Sequence, residues 1–226
     1  MSNDELHGLI QALNNKTTVR LFLRPISKEV DWAIYFMQGP EAGKRCPREF
    51  FYFIKEPSGQ YIGAVEDRGL FDLHWFIDPK FRKKGHLTSA MRTTIFPHIK
   101  SVLGRDFQKI SINKKLPDFE SSEKVALTLG FKKISEDSQS FIYELLLDDY
   151  RSDDCTGIDV PLSVDRKKEI YNTIGSITAT LDLLSAEIKM SEGWIDEVDE
   201  IDHVANQVNN LYMFLYEWQL SCKKQV

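Results

Sequence analysis

The stretch "FIDPKFRKKGHL", residues 76–87, combines residue types that can do chemistry. An apolar run, "LFDLHWFI", ends at Asp78-Pro79, and a turn rich in Arg82, Lys83 and Lys84 leads through Gly85 into a helix-like pattern. A turn that opens a helix leaves backbone N–H groups unpaired, with the positive end of the helix dipole behind them. Glycine lets a ligand approach the backbone closely, and three cations add charge around it. The spacing therefore fits an anion or phosphate cradle. The same spacing also serves as a plain solvated connection in α/β proteins, so residues 82–87 alone leave both readings open.

The remaining candidates are sparse. Asp72 and His74 stand two apart on the expected strand before the turn, which puts them on one face. Either suits a general base, and His74 titrates in the useful range; the alternative is a pair turned to solvent or to a neighbouring strand. Glu66 ends the preceding strand, as a third base candidate or a surface charge, and Tyr143 lies in the apolar run "FIYELLL", as an acid or a core residue. Cys46, Cys155 and Cys222 are widely spaced without a CxxC, which reads as reduced thiols in a cytoplasmic protein. Nothing around Cys46 suggests activation. The histidines show no metal-ligand spacing, so no metal is expected.

The totals bound the class. The 226 residues are 42% hydrophobic and 28% charged, with a net charge of −5. Residues 1–147 carry 22 Lys and Arg against 18 Asp and Glu, a balance of +4, and residues 148–226 carry 7 against 16, a balance of −9. The first part can attract an anion; the second is an acidic appendage. No long basic stripe with interleaved aromatics points to general nucleic-acid binding. No apolar run approaches the ~18 residues of a membrane span. The start, "MSNDELHGLIQALNN", lacks the layout of a signal peptide.

The elements that must position the turn follow from periodicity. Leu6, Leu9, Ile10 and Leu13 predict a leading helix, and "TTVRLFLRP" a strand with Val19, Leu21 and Leu23 inward. "SKEVDWAIYFMQG" reads as a helix capped by Ser27 and stopped at Gly39, with Trp32 and Phe36 packing it onto the sheet. "FFYFIKE" and "YIGAVED" form a hairpin around "PSGQ", and "GLFDLHWFID" is a further strand. After Gly85, Leu87, Met91, Ile95, Ile99 and Leu103 make a helical stripe that Pro97 should kink. "FQKISINK" is a strand, "SSEKVALTLG" a helix capped by Ser121 or Ser122, and "FKKISE" with "SFIYELLL" a last hairpin. Beyond an acidic linker, residues 148–162, two apolar seams predict an antiparallel helical hairpin over 163–226. The seams are Ile170, Ile174, Ile177, Leu181, Leu184, Ile188 and then Ile201, Val204, Val208, Leu211, Leu215, Trp218. Either the hairpin packs on its own domain or it meets a second copy as a homodimer.

"FIDPKF" followed by Arg82-Lys83-Lys84-Gly85-His86-Leu87, and "SSEKVALTLGF" with Leu129, Gly130 and Phe131, resemble the two motifs of the GNAT superfamily of N-acetyltransferases. The resemblance covers residues 17–147 within a domain of residues 1–147. It implies an α/β fold with a GNAT-like mixed central sheet and flanking helices, to which the C-terminal antiparallel helical hairpin is extra. It implies acetyl-CoA as co-substrate, its pyrophosphate on the turn amides of Lys83, Lys84, Gly85, His86 and Leu87 beside Arg82. The pantetheine arm then lies along Phe76 and Ile77. It further implies an amine acceptor, bound between "MQGPEAGKRCPREF" and "SEDSQS", where Lys44, Arg45 and Arg48 oppose Glu136 and Asp137. Three departures bear on this. Leu87 replaces a small residue and narrows the site; the tyrosine many members carry falls on Ala126; the frequent asparagine falls on Phe119, leaving Asn113 as a substitute. The alternative is a catalytically inactive GNAT-like module that binds acyl-CoA or a protein partner through its acidic helical tail.

Overall fold

The computed structural model describes residues 1–17, 20–36, 47–117, 119–150 and 162–222. It divides into two units, Met1–Val160 and Pro161–Val226. The first unit opens with helix α1 (Asn3–Asn14), started by a capping box in which Ser2 accepts from the Glu5 amide and Glu5 answers to the Ser2 backbone. Leu6, Leu9 and Ile10 are its buried stripe.

Five strands follow: β1 (Leu21–Pro25), β2 (Val30–Phe36), β3 (Arg48–Lys55), β4 (Tyr61–Asp67) and β5 (Leu73–Ile77). They pair in sequence order as one antiparallel sheet. The segment expected as a helix from Ser27 is therefore strand β2. Its Val30, Trp32, Ile34 and Phe36 alternate with Asp31, Ala33 and Tyr35, a period of two that β-branched and aromatic residues favour in a sheet. Ser27 still receives amides, but those of Glu29 and Val30 in the turn between β1 and β2, at 3.2 and 3.1 Å. β1 is an edge strand, so Leu23 is exposed and Leu21 only half-buried, against the inward alternation read from sequence. Val19, Gly39, Lys44, Arg45, Cys46 and Cys155 lie outside the described residues.

Past the turn runs α2 (His86–Ala90), a π-helical stretch at Met91–Ile95 and α3 (Phe96–Ser101). This wide turn directly precedes Pro97, whose ring would press on the carbonyl of Thr93 in a regular α-helix. Phe96 N–H reaches back to the Met91 carbonyl instead. Leu87, Met91, Ile95 and Ile99 are all buried. Strand β6 (Phe107–Asn113), helix α4 (Phe119–Leu129), β7 (Lys132–Glu136) and β8 (Ser140–Leu146) complete the unit; the last three strands form a second antiparallel sheet in the order β6-β8-β7. Ser121 and Ser122 fall inside the first turn of α4, which begins two residues before the expected cap. Gly130 ends it with φ +96°, its amide on the Leu127 carbonyl and that of Phe131 on Ala126.

Two apolar clusters form the core. The larger joins one face of both sheets to α2, α3 and α4 through residues such as Tyr52, Ile62, Met91, Phe96, Ile110 and Tyr143. The smaller packs Leu6, Leu9 and Ile10 of α1 on Phe51, Phe53, Ala64 and Phe76 at the other face. The fold is thus mixed α/β, and the second unit is the C-terminal helix pair, α5 (Val164–Glu192) and α6 (Asp196–Cys222), with a break at Gly193. Tyr171 stacks on Tyr212 across the pair, ring centroids 4.1 Å apart. No helix among the described residues is long and apolar enough to cross a membrane.

Candidate coenzyme site

The basic turn is built from its own hydrogen bonds. Asp78 accepts from the Lys80 amide at 3.0 Å and starts a single 3-10 turn at Pro79–Phe81. Arg82 then reaches back, its Nε donating to the Ile77 carbonyl at the end of β5 (2.9 Å). Lys83 and Gly85 are both left-handed, φ +61° and +82°. For Lys83 that conformation costs about 1–2 kcal/mol, which the surrounding turn must offset. The first helical bond of α2 runs from Ser89 N–H to the Gly85 carbonyl, so the amides of Gly85, His86, Leu87 and Thr88 have no acceptor within the helix. A Cβ on Gly85 would meet no atom within 4 Å. The turn is therefore open in front of its glycine.

Side chains arrange themselves around that opening. Arg82, Lys83 and Lys84 are exposed, with the Lys84 ammonium 5.0 Å from the Phe81 ring centre and the Arg82 guanidinium 5.9 Å from that of Phe76. Leu87, expected to narrow the site, sends its side chain into the larger core and leaves the opening clear. His86 is half-buried.

Strand β5 leads to the turn, and its two edges differ. Asp78 N–H bonds the Ile62 carbonyl and Arg68 N–H the Asp72 carbonyl. In an antiparallel ladder this phase gives the backbone groups of Phe76 and His74 to Ala64 and Glu66 of β4. Those of Trp75 and Ile77 point the other way, toward β6. On β6 the Lys114–Gln139 and Leu147–Asp106 bonds fix the phase of pairing with β8, so the backbone groups of Lys109, Ser111 and Asn113 turn toward β5.

β5 and β6 run parallel and separate progressively. At the base, Lys109 N–H bonds the Leu70 carbonyl directly at 3.0 Å. Two residues on, Ser111 N–H is spanned by the Asp72 side chain at 3.1 Å. Beyond that the strands belong to different sheets. The result is a wedge, closed at Leu70 and Asp72 and open toward Ile77, Asn113 and the basic turn. Gly63 keeps its wall in place: a Cβ there would lie 2.8 Å from the Phe76 carbonyl oxygen.

Of the candidate catalytic residues, Asp72, His74 and Glu66 gather around Arg68, and Tyr143 stands apart in the larger core. Asp72 precedes β5 and fastens the wedge, also meeting Arg68 at 3.4 Å. His74 lies on the α1 face, half-buried, with Nε2 3.1 Å from Asn3 Oδ1, and burial lowers its pKa. Arg68 joins Asp72 to Glu66, the cross-strand neighbour of His74, so Asp72 and His74 share one face as the alternation predicts. Glu66 sits across from His74; burial alone would raise its carboxyl, but the hydrogen bond from Arg68 at 2.9 Å helps to hold it below the usual range. Tyr143 is buried in the larger core and donates to Glu123 of α4; burial and that carboxylate raise its pKa. Asn113 Oδ1 accepts from the Lys115 amide at 2.9 Å while its backbone lines the wedge mouth. Ala126 is fully buried, and Phe119 packs on Phe141 at 5.6 Å.

Two residues escaped sequence reading. Glu123 carries no signal beyond its place in an amphipathic helix. Glu49 of β3 has a buried Oε2 with no hydrogen-bond partner, and burial followed by the charge of Glu66 raises its pKa. Among the described residues no cluster of three or more His, Cys, Asp or Glu is poised to hold a metal.

No family model and no curated protein matches the chain. Solved structures of GNAT acetyltransferases are similar to it in fold. A chain assigned to the GnaT acetyltransferase family of Bordetella pertussis aligns at 21% identity and TM-score 0.35, over 42% of this chain and 65% of that one. Mutant forms of the spermidine/spermine N-acetyltransferase SpeG from Vibrio cholerae align at 12% and 0.39, over 66% and 92%. The Campylobacter jejuni N-acetyltransferase PseH in complex with acetyl coenzyme A aligns at 14% and 0.36, over 43% and 67%. With TM-scores below 0.5, these likenesses carry neither residue correspondence nor activity over to this chain.

Proposed function

We propose that the protein is an acetyl-CoA-dependent N-acetyltransferase acting on an amine of a protein or small molecule. The observation that supports this best is the unpaired edge of β5, which runs directly into a turn with unpaired amides and three cations. A coenzyme with an amide-bearing arm and a pyrophosphate matches that order of groups. Its arm pairs with the N–H and C=O of Trp75 and the N–H of Ile77, whose carbonyl accepts from Arg82, as an added strand would, with Phe76 contributing its ring on the far face. The pyrophosphate takes the amides of residues 83–87, and Arg82, Lys83 and Lys84 supply charge. Asn113 closes the mouth from β6.

In the transfer, the amine nitrogen attacks the thioester carbonyl carbon, the C–S bond breaks, and the thiolate leaves with a proton. An amide directed into the wedge holds the carbonyl oxygen as it gains charge. His74, kept neutral by burial, or Asp72 takes the ammonium proton, and Tyr143 gives one to sulfur by exchanging Glu123 for the thiolate. The buried state of Tyr143 and the alanine at position 126 favour a second reading, a module that binds acyl-CoA without turnover and acts through its acidic hairpin. The reading is completed by a cytoplasmic location and by association through residues 163–226.

Calorimetric titration with acetyl-CoA tests the cradle, with Arg82→Ala in parallel. Micromolar binding that weakens at least tenfold in the variant supports it, and release of free thiol with amine acceptors then separates enzyme from binding module. A folded protein that does not bind acetyl-CoA ends the proposal.

A further inference from the structure

The hairpin carries more apolar seam than two helices use. Contacts from Gly175, Ser185 and Lys189 to Tyr212 and Asp202 mark the facing sides. At 100° per residue, Ile174, Leu181 and Ile188 fall in that arc on α5, and Ile201, Ala205 and Val208 on α6. The alternate positions stay open: Ile177 is 44% exposed, Leu184 45%, Val204 43% and Leu211 47%. On each helix these lie about 90° from the contact line and in the same rotational sense, which in an antiparallel pair is the same side. The Ser185–Asp202 and Gly175–Tyr212 contacts set the register, leaving Leu184 level with Val204 and Ile177 level with Leu211. Four aliphatic side chains make one two-by-two patch.

Charge is distributed along the same hairpin unevenly. Its loop half, residues 179–208, holds eight Asp and Glu against Lys189 alone. The open half, residues 164–178 with 209–222, holds three acids against Arg166, Lys167 and Lys168. Apolar residues kept at both heptad positions are what a helix needs when it faces two neighbours, as in a four-helix bundle.

We infer that this patch is where a second copy of the chain docks, two hairpins packing antiparallel to one another into a four-helix bundle. A two-fold axis through the patch lays Ile177 and Leu184 of one copy over the same apolar square of the other. It also sets each acidic loop half beside an open half that contains the basic residues. Packing in the same direction would stack eight acids on eight, and like charges side by side are unfavourable. The inference rests on the reading of the hairpin as an association element and is independent of the coenzyme.

Sedimentation velocity of the full chain at micromolar concentration tests it. The expected mass is twice 26.2 kDa. Leu184→Glu with Leu211→Glu should give a monomer of unchanged helical circular dichroism. In low salt, Arg166→Glu with Lys168→Glu should weaken the dimer at least tenfold, and adding Glu197→Lys with Glu200→Lys should restore it. A monomeric wild type, or a dimer indifferent to Leu184 and Leu211, overturns the inference. So does a dimer tightened by Glu197→Lys with Glu200→Lys alone, which is the signature of same-direction packing. Acetyl-CoA binding should be the same in monomer and dimer, so loss of coenzyme binding and loss of the dimer are read separately.

Discussion

Gly85→Ala separates a cradle from a connection because the two readings differ in magnitude. Gly85 has φ +82°, and an L-residue in that region costs about 1–2 kcal/mol. No protein atom lies within 4 Å of the added methyl, so no clash adds to that cost. Denaturant unfolding should therefore register a loss of about 1–2 kcal/mol, and Gly85→Asn a smaller one, since asparagine tolerates the left-handed region. If pyrophosphate oxygens occupy the space in front of the turn, the methyl displaces them from one or two charge-assisted hydrogen bonds. Each is worth about 1.5–3 kcal/mol, or on the order of 10- to 150-fold in affinity. Calorimetry should show acetyl-CoA binding reduced by that factor in both variants, out of proportion to the stability change in Gly85→Asn. Full affinity in a variant that has lost its expected stability would refute the cradle, because the turn would then be shaped for its own connection.

Two further outcomes follow from buried groups. His98, buried and 3.0 Å from the Tyr52 hydroxyl, has its pKa pushed down by burial from 6.5 to about 4. Below pH 6.5 the unfolded chain takes a proton that the folded ring refuses, so stability should fall by about 3 kcal/mol between pH 6.5 and 4. Urea unfolding of His98→Gln should lack that part of the slope. Tyr143→Phe leaves Glu123 without its donor and should cost about 1 kcal/mol of stability. As the proton donor to sulfur, Tyr143 should also be worth at least tenfold in kcat at unchanged acetyl-CoA affinity; an unaltered kcat removes it from the chemistry.

The turn was legible in the sequence because its chemistry is local: a proline, a glycine and four cations within seven residues. The leading helix and the hairpin were legible for the same reason, through sustained periodicity. Residues 27–36 misled because Ser27 caps an amide in either structure, and the choice between helix and strand is made by pairing with Arg48–Lys55, a contact across the chain. Asp72 and His74 do share a face, but the strand does not begin at Gly69 as its alternation suggested. It begins at Leu73, and Asp72 spends its carboxylate on Ser111, thirty-nine residues away. Glu123 and Glu49 matter through burial and proximity, which no spacing encodes.

The closed base of the wedge has a consequence of its own. Between Ile77 at the mouth and Asp72 at the fastening lie five steps of extended chain, about 16 Å. Any linear molecule threaded in from the turn would meet a carboxylate clasp and then a backbone hydrogen bond, so Asp72 and Leu70 set the depth of the wedge. Asp72→Ala would remove the clasp and leave the Lys109–Leu70 bond as the floor of the wedge.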